Sequence, residues 1–294
     1  MGVYQPDPVK NARQGIDSAS DCSPSCLEFH VSSLLRRAFL PVEQHIADYQ
    51  EFAEAISDGL ARLRRKKPPL RVVIAGSTDN GLYCMLLNVA RKIGGDEFAR
   101  SLIISIVDRC KMPLVFCEQF AVKNSLRLNT VHSDFIEFSH TASCDLLIAH
   151  GVMSFFPSDE RNTYLSHMRN WLSIDGMMIS STQFGDRNIA GGDEQNENGR
   201  LQDAVANLNR LLDKEGIEDS HLRATLAQKL HTGFMNRSDH AELFGNREEA
   251  LSFYEGAGLK ICKLSIVDNT SQIPQGPQRR YRARAIATCL RAEE

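Results

Sequence analysis

Four apolar residues, Val72-Val73-Ile74-Ala75, run without a polar break into a turn of small residues, Gly76-Ser77-Thr78-Asp79-Asn80-Gly81, and a helical pattern starts at once. A second apolar run, Leu102 to Val107, ends in Asp108. Short runs with no polar alternation are strands buried on both faces, as in a parallel sheet. Parallel neighbours need a crossover between them, usually a helix. Right-handed crossovers bring the C-terminal ends of the strands to one edge, and ligands sit there.

The rest of the chain continues this rhythm. Asn129 to His132, Cys144 to Ala149 and Met177 to Ser181 read as three more strands. Gly81 to Ile93, closed by Gly94-Gly95, reads as a helix, as do Pro113 to Asn124 and Ser158 to Trp171. Leu259 to Val267 and Tyr281 to Leu290, joined through Pro274 and Pro277, read as a terminal antiparallel pair. The predicted class is α/β: a doubly wound, mostly parallel seven-stranded sheet with that pair at its end.

Two helical blocks lie outside the alternation. Val31 to Leu40 reads helical, and Pro41 restarts the pattern. Val42, Ile46, Tyr49, Phe52, Ala53, Ile56, Leu60 and Leu63 then recur in steps of three and four, one amphipathic helix ended by Pro68-Pro69. After the polar stretch Gly185 to Gly199, helices are predicted at Leu201 to Leu212, Leu222 to Leu230 and, later, Arg247 to Tyr254. The division predicted is a flexible tail (1–27), a helical lid (28–68) and a main domain (69–294) with a helical insert at about 186–245. The 28–68 helices and the insert are expected to fold over the sheet edge, which suits a small molecule better than a macromolecule.

Composition narrows the partners. With 42% hydrophobic residues and a net charge of −3, the chain has ample core and no bulk attraction to nucleic acid. Its basic runs, Arg62 to Lys67 and Arg279 to Arg284, read as solvated faces. No apolar stretch approaches the ~20 residues that span a membrane. The polar start lacks a signal peptide's apolar core, so the cytoplasm is the expected address. Of 8 cysteines, most lie within predicted elements as buried thiols; Cys22 and Cys26 form the one close pair, without a second pair at zinc spacing. No cluster of carboxylates and histidines near the fourth strand points to a metal, with Asp159-Glu160 the nearest acids.

A small-residue turn after the first strand and an aspartate at the tip of the second outline a nucleotide site. Backbone N–H groups approach the ligand, and the carboxylate takes ribose hydroxyls. Asp108 has a second reading, as a cap on the next helix.

The order of elements and three segments carry a resemblance: Val107-Asp108-Arg109-Cys110-Lys111-Met112-Pro113-Leu114; Asp145 to Pro157, with His150-Gly151-Val152-Met153 at its centre; and Trp171 to Gly176. From Leu70 to Leu290 the chain resembles class I S-adenosylmethionine-dependent methyltransferases, in a bacterial small-molecule subgroup. The resemblance implies S-adenosylmethionine as cofactor. It implies that Gly76, Ser77, Thr78, Asp79 and Gly81 cup its methionine part and ribose, and that Asp108, beside Arg109, takes the ribose hydroxyls. Asp134 and Phe135 then flank adenine, and His150 and Gly151 border the sulfonium and the acceptor. The family's first motif runs acidic-x-Gly-x-Gly-x-Gly. Here Ile74 stands at the acid, and Thr78 and Asn80 at inner glycines. Asn tolerates positive φ, and Asp79 is the candidate carboxylate for the cofactor's amino group.

A sulfonium is already a strong methyl donor, so alignment and exclusion of water do much of the chemistry. A hydroxyl or ammonium acceptor also needs a base. His150 is the first candidate and His231 the second, against the alternative that His150 is a wall residue. A thioether or tertiary amine would need none. Tyr49, Phe155 and Phe156 are candidates for substrate contact, with the core as the other reading for the two phenylalanines. The fourth strand is not followed by an Asn-Pro-Pro-Tyr-like segment, which argues against nucleic-acid bases. The expected acceptor is a small polar metabolite, amino-acid-like in the narrower guess; a homodimer stays open. The competing readings are an NAD(P)-dependent oxidoreductase and a non-catalytic cofactor-binding relative.

Overall fold

A computed structural model of the chain describes residues 3–18, 30–46, 48–65, 69–138, 143–156, 159–184, 194–235, 244, 246–268 and 283–291. In chain order the elements are α1 (Pro8–Ser18), α2 (Ser32–Arg37), a 3-10 turn (Val42–Gln44), α3 (Tyr49–Leu63), β1 (Arg71–Ala75), α4 (Gly81–Ser101), β2 (Ile103–Asp108), α5 (Lys111–Lys123), β3 (Leu128–His132) and β4 (Cys144–His150). A 3-10 turn (Val152–Phe155) leads to α6 (Arg161–Trp171), β5 (Leu172–Phe184), α7 (Glu194–Lys214), α8 (Ser220–Met235), α9 (Arg247–Gly256), β6 (Leu259–Asp268) and β7 (Ala283–Arg291).

The strands form one sheet in the order β3-β2-β1-β4-β5-β7-β6. Strands β1 to β5 pair in parallel, and β7 runs antiparallel between β5 and β6. The order reverses at β1, where Ile74 sits between Ile106 and Ile148. The tips of β1 and β4 therefore flank the switch point, where a parallel sheet opens a crevice.

Strand periodicity splits the core in two. Val72 and Ile74 join one buried cluster with Phe52, Ile56 and Leu60 of α3 and Leu86 of α4. Val73 and Ala75 join the other with Leu165 and Trp171 of α6 and Tyr254 of α9. Helix α4 bends at Gly95, whose φ of 77° leaves the helical region where the sequence places a C-cap, and then resumes.

Three expectations for the helical blocks are corrected. The stretch from Val42 is not one helix: after the 3-10 turn the chain breaks and restarts at Tyr49. Ring nitrogen Nε2 of His45 donates within 3.1 Å of both the Arg37 and Leu40 carbonyls, and Asp48 turns inward. Nor is α3 a lid. A Cβ on Gly59 would lie 3.0 Å from Ile179 Cδ1 of β5, so the helix rests directly on the sheet and is part of its core. The segment before residue 19 is no loose tail either. Asn11, Ala12, Gly15 and Ile16 of α1 are buried, and Tyr4 exchanges two hydrogen bonds with the Asn88 side chain, at 2.9 and 2.7 Å.

A third apolar cluster joins α1 and α2 to α7 and α8 through Ile16, Leu34, Leu35, Leu208, Leu211 and Leu230, and seats them on Met112 and Phe116 of α5. This cap, rather than α3, is what stands over the sheet edge. Cys84, Cys110, Cys117, Cys144 and Cys289 are buried free thiols, while Cys262 is exposed; Cys22 and Cys26 lie outside the described residues. No described helix is long and apolar enough to cross a membrane.

Candidate functional site

The turn after β1 is built for close approach. Gly76 has φ +75°, a conformation that favours glycine. Its N–H donates to the Val107 carbonyl at 2.9 Å, and a Cβ there would meet Val152 Cγ2 at 3.0 Å. The β1 turn thus abuts the turn that follows β4. Asp108, buried at the tip of β2, accepts from the Ser77 N–H at 2.7 Å and the Cys110 N–H at 2.6 Å. It ties the two turns together at the crevice; Cys110 is the N-cap of α5 and no side chain caps that helix, so Asp108 does not serve as its cap.

Asp79 is 2% exposed. Its Oδ1 accepts from the Gly81 N–H at 2.8 Å and pairs with Arg37 Nη1 at 3.0 Å. Breaking such a buried pair leaves an uncompensated charge, so both partners are committed to it. Asp79 Oδ2 and Arg37 Nε are nevertheless buried without a hydrogen-bond partner. One ion pair therefore carries an orphan acceptor and an orphan donor. Beside it, the buried Asn80 side chain accepts from Asn11 Nδ2 of α1 at 2.9 Å.

At the tip of β4 stands His150. Its Nε2 lies 2.8 Å from Asp48 Oδ1, and its ring meets Phe52 edge-on with centroids 4.8 Å apart. Asp48 Oδ2 accepts from Ser181 Oγ of β5 at 2.5 Å, and Ser181 Oγ accepts from Arg284 Nη1 of β7 at 3.0 Å. Burial pushes the Asp48 carboxyl up, but His150, Arg284 and the Ser181 hydroxyl outweigh it and hold the group well below the usual carboxylate range. Burial also dominates at His150 and, with the Arg284 and Arg37 charges, pushes the imidazole below its ordinary value against the opposing pull of Asp48. Both shifts favour a neutral ring beside an ionised carboxylate. Gly151, at φ 70°, follows at once and donates to the Ser181 carbonyl at 2.8 Å.

Asp134 and Phe135 lie beyond β3. Asp134 Oδ1 accepts from the Ile136 N–H at 3.0 Å, and its carboxylate takes the Tyr164 hydroxyl. Burial, then the charges of Asp134 and Glu160, push that phenol above its ordinary value. Phe135 meets Phe156 and Trp171 edge-on at 5.8 and 6.0 Å. It also stands 3.7 Å from the position of a Gly76 Cβ.

The structure thus gathers Gly76, Ser77, Thr78, Asp79, Gly81, Asp108, Phe135, His150 and Gly151 at the C-terminal edge, with Asp134 and the exposed Arg109 at its rim. Two candidates are corrected. His231 is exposed on α8, open to water. Phe156 is core: it stacks on Tyr164 with centroids 3.7 Å apart and is 4% exposed. Phe155 and Tyr49 are half-buried, and Tyr49 packs against the α3 and α4 cluster. The reading of Arg279 to Arg284 as a solvated face fails at Arg284, which is held inside by Ser181 and Asp48; 279–282 lie outside the described residues. Arg37, Asp48, Ser181, Arg284 and Asn11 were missing from the sequence reading. Their partners are 42 or more positions away for every pair, and the available signal was a charge amid apolar neighbours, as at Asp48 in Ile46 to Tyr49.

No protein-family model matches this sequence, and comparison with curated proteins finds no relative. Among solved structures, magnesium protoporphyrin IX methyltransferase from Synechocystis with bound S-adenosylmethionine superposes with a TM-score of 0.50 at 11% identity, covering 99% of this chain and 100% of that one. The 1,6-didemethyltoxoflavin-N1-methyltransferase from Burkholderia thailandensis gives 0.48 at 13% identity, with 82% and 78% covered. N-methyltransferase NodS from Bradyrhizobium japonicum gives 0.46 at 9% identity, with 98% and 100% covered. The strand order with its inserted antiparallel β7, and the first of these superpositions, give this chain the fold of the class I S-adenosylmethionine-dependent methyltransferases.

Proposed function

We propose that the protein transfers a methyl group from S-adenosylmethionine to a hydroxyl or amine of a small polar metabolite, with His150 as general base. The observation that carries this is the buried, carboxylate-paired His150 at the tip of β4, next to the glycine turn of β1. An all-parallel dinucleotide fold orders its strands 3-2-1-4-5-6. The antiparallel β7 speaks against the oxidoreductase reading.

The residues present fit the cofactor. Gly76 leaves a cradle that a Cβ would fill, and the orphan atoms of the Arg37–Asp79 pair match the two charges of an amino acid. Arg37 Nε would take the methionyl carboxylate and Asp79 Oδ2 the ammonium, which answers the missing acid at Ile74. Ser77, Thr78 and Gly81 line the turn, Asp108 holds the ribose, and Asp134, Phe135 and Arg109 surround the base.

When bound, S-adenosylmethionine supplies a methyl carbon whose bond to sulfur breaks with both electrons staying on the sulfur. His150 takes the proton of the acceptor, whose freed lone pair forms the new bond. Burial of the ring, with Phe52 edge-on against it, keeps water from competing. Phe155 and Tyr49 remain the candidates for acceptor contact.

Calorimetric titration with S-adenosylmethionine and S-adenosylhomocysteine, with Asp108→Ala as control, tests the first half. Micromolar binding lost in the variant supports the reading; no binding of either ligand ends it. Methyl-labelled cofactor and pooled metabolites then report the acceptor. Label appearing on a thioether or a tertiary amine would remove the role given to His150.

A further inference from the structure

We propose that Asp48 is a positioning residue that fixes the ring proton of His150 on Nε2 and leaves Nδ1 as the basic nitrogen. The proposal rests on the reading of His150 as the base.

Asp48 does not belong to the sheet. It arrives at the head of α3, where its carbonyl accepts the Phe52 N–H at 2.9 Å and fixes the start of the helix. Its side chain is completely buried. A carboxylate only accepts and a guanidinium only donates. His150 Nε2, 2.8 Å from Asp48 Oδ1, must therefore carry the hydrogen between them. Arg284 Nη1, 3.4 Å from the same nitrogen, has nothing to offer a ring N–H and is turned to Ser181 Oγ at 3.0 Å. One neutral tautomer fits the short contact with Asp48: Nε2–H, with the lone pair on Nδ1; the longer Arg284 approach then carries no hydrogen bond to the ring.

Asp48 is itself held on three sides, by Ser181 Oγ on Oδ2, by Arg284 Nε 3.7 Å from Oδ1, and by the helix start. The charged groups that act on His150 are Asp48 from α3, Arg284 from β7 and Arg37 from α2. Asp48 alone among them favours the imidazolium. It thus steadies the charge that forms when the ring takes a proton, while burial and the two arginines keep the resting ring neutral. An oriented imidazole backed by a buried carboxylate is the arrangement by which a histidine serves as a base in acyl transfer. Here the head of α3 together with β4, β5 and β7 assembles it.

The test needs neither cofactor nor acceptor. Long-range 1H–15N spectra of 15N-histidine-labelled protein report which ring nitrogen bears the hydrogen, with His150 assigned by its disappearance in His150→Gln. The expected spectrum at pH 7.5 is a single Nε2–H tautomer. In Asp48→Asn the protonation midpoint of His150 falls, because Arg284 and Arg37 then act unopposed. A wild-type ring protonated on Nδ1, or a midpoint that Asp48→Asn leaves unmoved, overturns the proposal. The wild-type spectrum decides even where the variant fails to fold. A merely structural Asp48 would change the unfolding midpoint and leave the ring titration of the folded protein in place. Because the ligand-free protein is observed, this result is separate from the cofactor titration: loss of cofactor binding would end the proposed activity and leave the tautomer assignment standing.

Discussion

Asn11 Nδ2 donates to Asn80 Oδ1 at 2.9 Å, both side chains buried, across 69 positions of sequence. This one bond fastens α1 to the turn that would receive the cofactor. Asn11→Ala leaves the Asn80 oxygen buried and unpaired, at a cost of about 1–3 kcal/mol. Expressed wholly in the order of the turn, that is a loss of about 5- to 140-fold in S-adenosylmethionine affinity. Calorimetry on the variant checks it; unchanged affinity would separate α1 from the site.

Gly76→Ala meets two obstacles. A left-handed alanine costs about 1–2 kcal/mol, and its Cβ would stand 3.0 Å from Val152 Cγ2. Adding Val152→Ala removes the contact and leaves the backbone cost. The double variant should recover part of the thermal stability and of the cofactor affinity. Full recovery would mean that the positive φ is unimportant.

The Arg37–Asp79 pair should behave as a unit. Arg37→Met strands a buried carboxylate and should destabilise by about 3–5 kcal/mol. Arg37→Met with Asp79→Leu should be much milder, because no charge is left behind. Chemical denaturation of the four members of the cycle measures the coupling. Both versions should lose cofactor binding, since the orphan atoms go with the side chains.

Stability should fall with acid in two stages. Burial lowers the proton affinity of His45 and His150 in the folded state. The unfolded chain therefore takes up these protons first, and stability is full above about pH 6.5 and lost as pH drops through the lower folded values. Asp48, depressed overall, adds a second loss below about pH 4. Urea midpoints at pH 7.5 and 5.5 test the first stage. His150→Gln should flatten the difference, and an equal slope in the variant would contradict a neutral buried ring.

His231→Ala should be silent, within about 0.5 kcal/mol in stability and without effect on turnover, as expected of an exposed position. A large loss of methyl transfer would return His231 to the site.

Much of the sheet was readable because burial on both faces writes itself as uninterrupted apolar runs. β1, β2 and β4 lie where those runs fall, while β3 is polar and half-exposed and β5 starts at Leu172, ahead of its run at Met177; the glycine and aspartate that end the first two mark the crevice. The polar network was not readable, because its pairs are distant. Asp48 meets Ser181 across 133 positions, and Arg284 meets Ser181 across 103. Periodicity counted Ile46 and Tyr49 and passed over the aspartate between them, and so also missed the break before α3. Arg284 was hidden among other arginines. The segment before residue 19 looked loose because its buried contacts are made through Asn11, Ala12 and Gly15, residues that no hydrophobic pattern highlights.

Helix α3 leaves the ribosome before every strand it covers, and its contacts with β5 and β7 close only when the last strand is made. Contacts so far apart along the chain make for slow folding. Until then the stripe of Phe52, Ile56, Leu60 and Leu63 is covered only in part, by α4 and the earlier strands, and exposed apolar surface is what chaperones engage. The segment that delivers Asp48 is thus made before the strands that complete its anchorage.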